Sequence, residues 1–483
     1  MTKHEILVIL SFLFVQLIII LPLVSVNFIH FSIFRQMETP SKSLWAPKLL
    51  YAIGSAGQSA MVNYIAIYFQ HVVHLSEREI GILQTLPCVC AILSPPIWGA
   101  IADYFNDQRM IHNICAIGSA FLLFSISYFE KFGAGILMIV TIGNFLAAPC
   151  GSLQDHAVLH MLEKTGGEYG KQRLFGAIGW GVGAYVVSIL VQFYGLHAAF
   201  YVYLVLMLLS VAILQRIPPV RGEKKSSFSV QLNGEEDSLL LKTERSNQSI
   251  SIPQQSCNVV KYQKDVVVLL VVIFLMGLMF GVLSSYLTMF LYNLSGKNSQ
   301  IVGIAIVCET ISELPAFFFS QQLIDRFGVV AVLMASIVAY GIRITFYWLM
   351  TNAWTAIPLE LLHGVTFGLS WAACTQYIFT SAPIGLQGSM MGILNAVQNG
   401  LGRGAGTLIG GILYEKYSPQ FMWMITDIGV PLSFLGLLVF ASIRTSSKER
   451  KMTEEEKQLQ RTECAQILSP YAAHEMSIFK ELQ

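Results

Sequence analysis

Hydrophobic positions in this chain run in long blocks, each followed by a short polar break. A helix that crosses a bilayer needs about 20 mostly apolar residues. Twelve blocks downstream of Lys42 meet that length: approximately 45–71, 79–102, 110–129, 134–162, 170–194, 197–215, 265–292, 299–322, 328–350, 354–382, 386–414 and 418–443. Between the sixth and seventh the pattern changes. Residues 216–264 hold Lys224-Lys225, Glu235-Glu236-Asp237 and many Ser and Gln, a composition that cannot bury a core and predicts a disordered linker. The pattern therefore predicts an all-α membrane protein: a six-helix bundle over 44–215, the linker, a second six-helix bundle over 265–444, and a polar tail over 445–483 carrying Glu454-Glu455-Glu456.

A further apolar run, 5–34, precedes the first core block inside an N-terminal segment of residues 1–43. Three readings are open. It is an uncleaved anchor helix, a leader upstream of an alternative start at Met37, or a cleaved signal peptide. Arg35, Lys42 and Lys48 follow the run against Lys3 alone before it, which favours the anchor.

Lys and Arg set the expected orientation, because positively charged loops stay on the cytoplasmic side. With the linker inside, the inner loops collect Arg109, Lys164, Lys171, the linker cluster and Arg326, and the tail adds Arg444, Lys448, Arg450 and Lys451. The outer loops hold only Arg78, Lys131, Lys297 and Lys416. Both ends of the twelve-helix unit are expected in the cytoplasm; the sequence does not name the membrane.

Composition narrows the class. Of 483 residues 54% are hydrophobic and 12% charged, against about 25% charged in soluble domains, so a string of water-facing domains is excluded. A net charge of +1 gives no reason to expect nucleic-acid binding. The eight cysteines show neither metal-ligand spacing nor a secreted framework. Six lie in apolar blocks, where inert buried thiols are expected. No metal and no cofactor are expected. The histidines are scattered singly, which argues against a membrane enzyme.

The blocks repeat. Gly81 precedes Asp103 by 22 residues, and Gly303 precedes Asp325 by the same 22. An acid at the end of the second helix of each half implies two related halves, as in transporters built from parallel six-helix repeats. Asp325-Arg326-Phe327-Gly328 resembles the loop after the second helix of the major facilitator superfamily (Gly-x-x-x-Asp-Arg-x-Gly), whereas Tyr104 and Asn106 depart from it in the first half. Asp103, Asp325, Arg326 and Gly328 are expected to form a structural gate.

Charged side chains within a bilayer are expensive and call for partners. In a helical hairpin, residues equidistant from the turn lie level. Asp155 and Arg173 centre on residue 164, Arg343 and His363 on 353, Glu313 and Arg343 on 328, and Arg403 and Asp427 on 415, each close to a polar turn. These are expected pairs, with Arg403–Asp427 read as a structural clasp. Arg173, near a helix end, could instead snorkel to the interface. Glu309 and Glu313, four apart, share one helix face. The Gly-rich stretches 176–183 and 400–406 are expected to let helices approach closely.

These residues resemble one branch of the superfamily, the lactose permease and nucleoside symporter-like group with its eukaryotic major-facilitator-associated-domain relatives. Residues 169–180, from Tyr169-Gly170-Lys171-Gln172-Arg173 to Trp180, are similar to the fifth-helix segment of lactose permease. So are the 18-residue spacing from Asp155 to Arg173 and the 20-residue spacing from Arg343 to His363. The resemblance covers about residues 44–444 and implies the twelve-helix fold. It also implies that Asp155 and Arg173 orient substrate hydroxyls, that Trp180 stacks on a sugar-like ring, and that Arg343 and His363 join Glu309 or Glu313 in proton coupling. One departure stands out: Thr366 occupies the place, three residues after the histidine, where lactose permease has its proton-carrying glutamate.

The resulting expectation is a monomeric secondary transporter, not an enzyme, of a sugar, glycoside or nucleoside by alternating access. It is coupled to H⁺, or facilitative if no acid replaces the missing one. The alternative is a membrane receptor that keeps the fold without transport.

Overall fold

The computed structural model describes residues 44–105, 107–129, 133–217, 264–382 and 386–444. The apolar run 5–34, nearly all of the linker and the tail from 445 lie outside the described residues, as does the side chain of Asp103. Among the described residues the regular structure is helical and contains no strand.

Eight helices among the described residues are long and apolar enough to cross a membrane. They include Glu77–Phe105, Tyr169–Tyr194, His197–Leu214 and Lys264–Leu294. Ser299–Leu349 runs for 51 residues as one stretch, but Gly328 breaks it with a left-handed φ of 81°. That break sits at the polar turn expected between two blocks, and glycine takes such a conformation without steric cost.

Other apolar blocks are helical but interrupted. The first divides into Trp45–Val62 and Ile65–His71 at Asn63 and Tyr64. The fourth divides into Ala134–Ala147 and Cys150–Thr165, where Pro149 starts the second piece; proline lacks the N–H that would continue the ladder. Two π-helical segments, Gly364–Leu369 and Ala396–Gly402, interrupt the tenth and eleventh blocks. Such π segments add a residue to the turn and are frequent at functional sites.

Helix ends are marked by local chemistry. The side chains of Asp107, Asn298 and Ser418 accept from Met110, Gln300 and Phe421 backbone N–H groups, satisfying donors that the first turn leaves open.

The Gly-rich stretches act as expected. A Cβ on Gly179 would collide with the Ala52 carbonyl oxygen, and one on Gly183 would lie 2.6 Å from Ala56 Cα. Helix Tyr169–Tyr194 therefore packs backbone to backbone against Trp45–Val62. In the second set of helices, Gly406 meets the Leu278 backbone in the same way.

Candidate functional site

A cavity of about 2920 Å³ lies between the helices before residue 217 and those after residue 264. It reaches from the middle of the bundle to the end carrying Leu44 and Gly167–Lys171. At the opposite end the two sets are tied together. Tyr64 OH donates to the Ser299 carbonyl at 3.2 Å, and Ser299 Oγ donates to Gln192 Oε1 at 2.9 Å. Asn293 Nδ2 donates to Gln70 Oε1 at 2.8 Å, and its Oδ1 lies 2.7 Å from His71 Nε2. The cavity is thus closed at one end by a polar seam.

The first-set wall carries the expected pair. Cys150–Thr165 and Tyr169–Tyr194 are joined through Gly166 and Gly167, both with positive φ (77° and 125°), a turn that folds the helices back on each other. Asp155 and Arg173 then come level. Arg173 Nη1 lies 3.0 Å from Asp155 Oδ2 and also donates to Tyr169 OH at 2.7 Å. Tyr51 OH donates to Asp155 Oδ1 at 2.6 Å. Both carboxylate oxygens are therefore engaged, and the Arg173 side chain, 62% exposed and lining the cavity, has further donors that meet no acceptor among the described residues. Trp180 lines the same wall, its carbonyl accepting from Ser59 Oγ at 2.8 Å.

The second-set wall holds a denser cluster. Arg343 is 2% exposed and uses all three of its nitrogens. Nη2 meets Glu360 Oε2 at 2.6 Å and Glu309 Oε1 at 3.4 Å. Nη1 donates to Thr366 Oγ1 at 2.9 Å and lies 3.3 Å from His363 Nδ1. Nε donates to Tyr347 OH at 3.2 Å, and that hydroxyl donates to Glu360 Oε1 at 2.6 Å. His363 Nδ1 is also 3.4 Å from Glu309 Oε1. It therefore sits between a donor and an acceptor and can serve only one at a time.

The cluster holds two carboxyls against one guanidinium. With all three charged it carries a net negative charge out of water, which is costly unless balanced. One proton, on either carboxyl or on His363, restores neutrality.

Glu360 was not among the expected site residues. It lies at the start of its block, in the short helix Ile357–Glu360, where an acid reads as an ordinary helix-end residue. The same depth rule finds it: Arg343 and Glu360 centre on the turn at 351–352. Glu313 lines the cavity on the face of Glu309 but meets no basic side chain among the described residues. Glu309, not Glu313, is the acid that reaches Arg343.

Arg403 and Asp427 do not pair, against expectation. Arg403 Nε donates to Ser284 Oγ at 3.1 Å, and its guanidinium lies 5.4 Å from the centre of the Phe280 ring. Asp427 Oδ2 accepts from Thr345 Oγ1 at 2.9 Å. Equal distance from a turn fixes depth but not helix face; Arg403 turns toward Lys264–Leu294 and Asp427 toward Ser299–Leu349. Of the expected gate, Asp325 accepts from Gln321 Nε2 at 2.9 Å, Arg326 lies over Phe327 at 5.4 Å, and Gly328 forms the break.

Residues 44–425 match the MFS_1 like family. The maltose permease of Geobacillus stearothermophilus is 24% identical, over 81% of this chain and 93% of its own. The major facilitator superfamily domain-containing protein 6-like protein B of Xenopus laevis is 20% identical, over 59% of this chain and 44% of its own. Among solved structures, the nucleoside transporter NupG superposes with a TM-score of 0.67 at 18% identity, over 82% of this chain and 98% of that one, which shows the same fold.

Proposed function

This chain belongs to the MFS_1 like family and is a multi-pass membrane transporter rather than an enzyme, and on that premise we propose that it carries a sugar, glycoside or nucleoside by H⁺-coupled alternating access. The observation that carries the proposal is the cavity, which has a polar cluster on each wall and, among the described residues, is tied shut by hydrogen bonds at one end. Transporters of this architecture bind at the repeat interface and rock one half against the other.

In this reading the chain has twelve spans in two six-helix halves, 44–215 and 265–444, with both ends of that unit in the cytoplasm. The open end of the cavity is then cytoplasmic, and the seam at Ser299 and Asn293 is the closed outer gate. Asp155 and Arg173 orient substrate hydroxyls, and Trp180 packs on a ring face. Proton movement belongs to Arg343, Glu309, Glu360 and His363, because that cluster needs one proton to be neutral and shares a histidine nitrogen between two partners. Both walls come from one chain, so a monomer suffices.

A membrane receptor on the same fold is the second reading, supported by the eukaryotic branch of the resemblance and by Thr366 at the place of the missing acid. The buried carboxyl of Glu360 on Arg343, three residues before His363, favours the coupled transporter over it.

The test is thermal unfolding of the purified protein with sugars, nucleosides and small organic acids, repeated on Arg173→Ala. A ligand raises stability according to its concentration over its dissociation constant. Stabilisation by a sugar or nucleoside that disappears in Arg173→Ala supports the reading; stabilisation that survives moves the site off the first wall.

A further inference from the structure

Three arginines line the cavity: Arg173, Arg343 and Arg403. Arg173 faces Asp155, and Arg343 faces Glu309 and Glu360. Arg403 has no carboxylate within 4 Å among the described residues. Its Nε is held by Ser284, while its two Nη groups, four N–H donors, meet no acceptor among the described residues. A guanidinium within the membrane normally has an anionic partner, and its two terminal nitrogens match the two oxygens of a carboxylate or phosphate.

The surroundings of Arg403 are aromatic. Phe280 beneath it stacks on Phe367, with centroids 5.1 Å apart and planes 17° apart. Phe367 in turn stacks on His363 at 5.5 Å. Arg403 therefore stands at one end of a line of flat rings that ends in the proton cluster. Trp371 also lines the cavity.

We propose that Arg403 binds an acidic group on the cargo, so that the transported solute is an anionic ring compound: a sugar acid of the uronate type or a nucleoside monophosphate. The assignment rests on the sugar or nucleoside reading for the body of the solute, and adds the charge. Asp155 and Arg173 hold hydroxyls on one wall; Arg403, beside the Phe280–Phe367 stack, holds the acid on the other. A single substrate bridging both walls gives a reason for the two halves to close on it.

The experiment is thermal unfolding against matched pairs: methyl glucoside with methyl glucuronide, and uridine with uridine monophosphate. 3-Phenylpropionate is added as an anion with a ring but no sugar. Wild type, Arg403→Gln, Arg403→Lys and Arg173→Ala are compared. Wild type should bind the acidic member of one pair more tightly than its neutral twin by about 10- to 100-fold, the span of a charge-assisted hydrogen-bonded contact. Arg403→Gln should erase that difference, and Arg403→Lys should retain part of it, which excludes misfolding as the cause. Which pair responds separates a carboxylate from a phosphate. Equal binding of neutral and acidic members overturns the assignment to Arg403 and leaves the sugar or nucleoside reading intact. Binding of 3-phenylpropionate alone, lost in Arg403→Gln, keeps the anion site and overturns the sugar reading. Stabilisation by none of the probes overturns both.

Discussion

Arg343 and Glu360 meet at 2.6 Å with side chains 2% and 0% exposed, across the turn that joins their two helices. A pair so removed from water holds only while both partners stay. Arg343→Met leaves Glu309 and Glu360 facing each other without a cation. Removing one partner of a buried pair costs about 3–5 kcal/mol, so this variant should unfold at clearly lower temperature than wild type. Adding Glu360→Gln should recover a substantial part of the loss. A double variant no more stable than Arg343→Met would show that Glu360 is not the partner that matters.

Charge balance in the cluster predicts the direction of pH dependence. One proton neutralises two carboxyls and one guanidinium, so proton-driven uptake into vesicles should rise as the outside is made more acidic and collapse with a protonophore. Glu309→Gln removes the surplus carboxyl. It should abolish accumulation against a gradient while leaving equilibrium exchange of labelled substrate in place. Loss of exchange together with accumulation would place Glu309 in substrate binding instead.

Tyr51 supports Asp155 from behind through a 2.6 Å hydrogen bond. Tyr51→Phe removes one donor to the carboxylate and should weaken substrate binding by about 0.5–1.5 kcal/mol, less than Arg173→Ala. Titration by calorimetry gives the order: wild type tightest, Tyr51→Phe intermediate, Arg173→Ala weakest.

Helix approach at Gly179 admits no side chain. Gly179→Val forces Trp45–Val62 and Tyr169–Tyr194 apart at Ala52 and should destabilise by about 1–3 kcal/mol, the usual penalty of overpacking. Gly151→Ala is the control, because a Cβ there meets nothing within 4 Å; helix propensity makes it neutral or slightly stabilising. Thermal unfolding of the two variants should separate them.

The apolar blocks located most helices closely. The block at 170–194 is the helix Tyr169–Tyr194, and 197–215 is His197–Leu214. Hydropathy reads composition, which is why the blocks were visible and the interruptions inside them were not. The π segment Gly364–Leu369 depends on which carbonyl each N–H chooses, a matter on which apolar side chains are silent. The charged sites divide along a similar line. Depth from a turn is a one-dimensional quantity and brought Asp155 to Arg173 and Arg343 to His363. Whether two level residues face each other is angular, so Arg403 and Asp427 came out level and turned apart. Glu360 was legible by the same depth rule; its position at the head of a block gave it the appearance of a solvated end.

The cavity has an osmotic consequence. At about 30 Å³ per water molecule in the liquid, a space of about 2920 Å³ corresponds to roughly a hundred waters, far more than one sugar or nucleotide displaces. Closing the halves around a solute must therefore expel most of that water, so the conformational equilibrium does mechanical work against the activity of the solvent. Large inert osmolytes that cannot enter the cavity should favour the shut forms, and hypotonic media should hold the protein open.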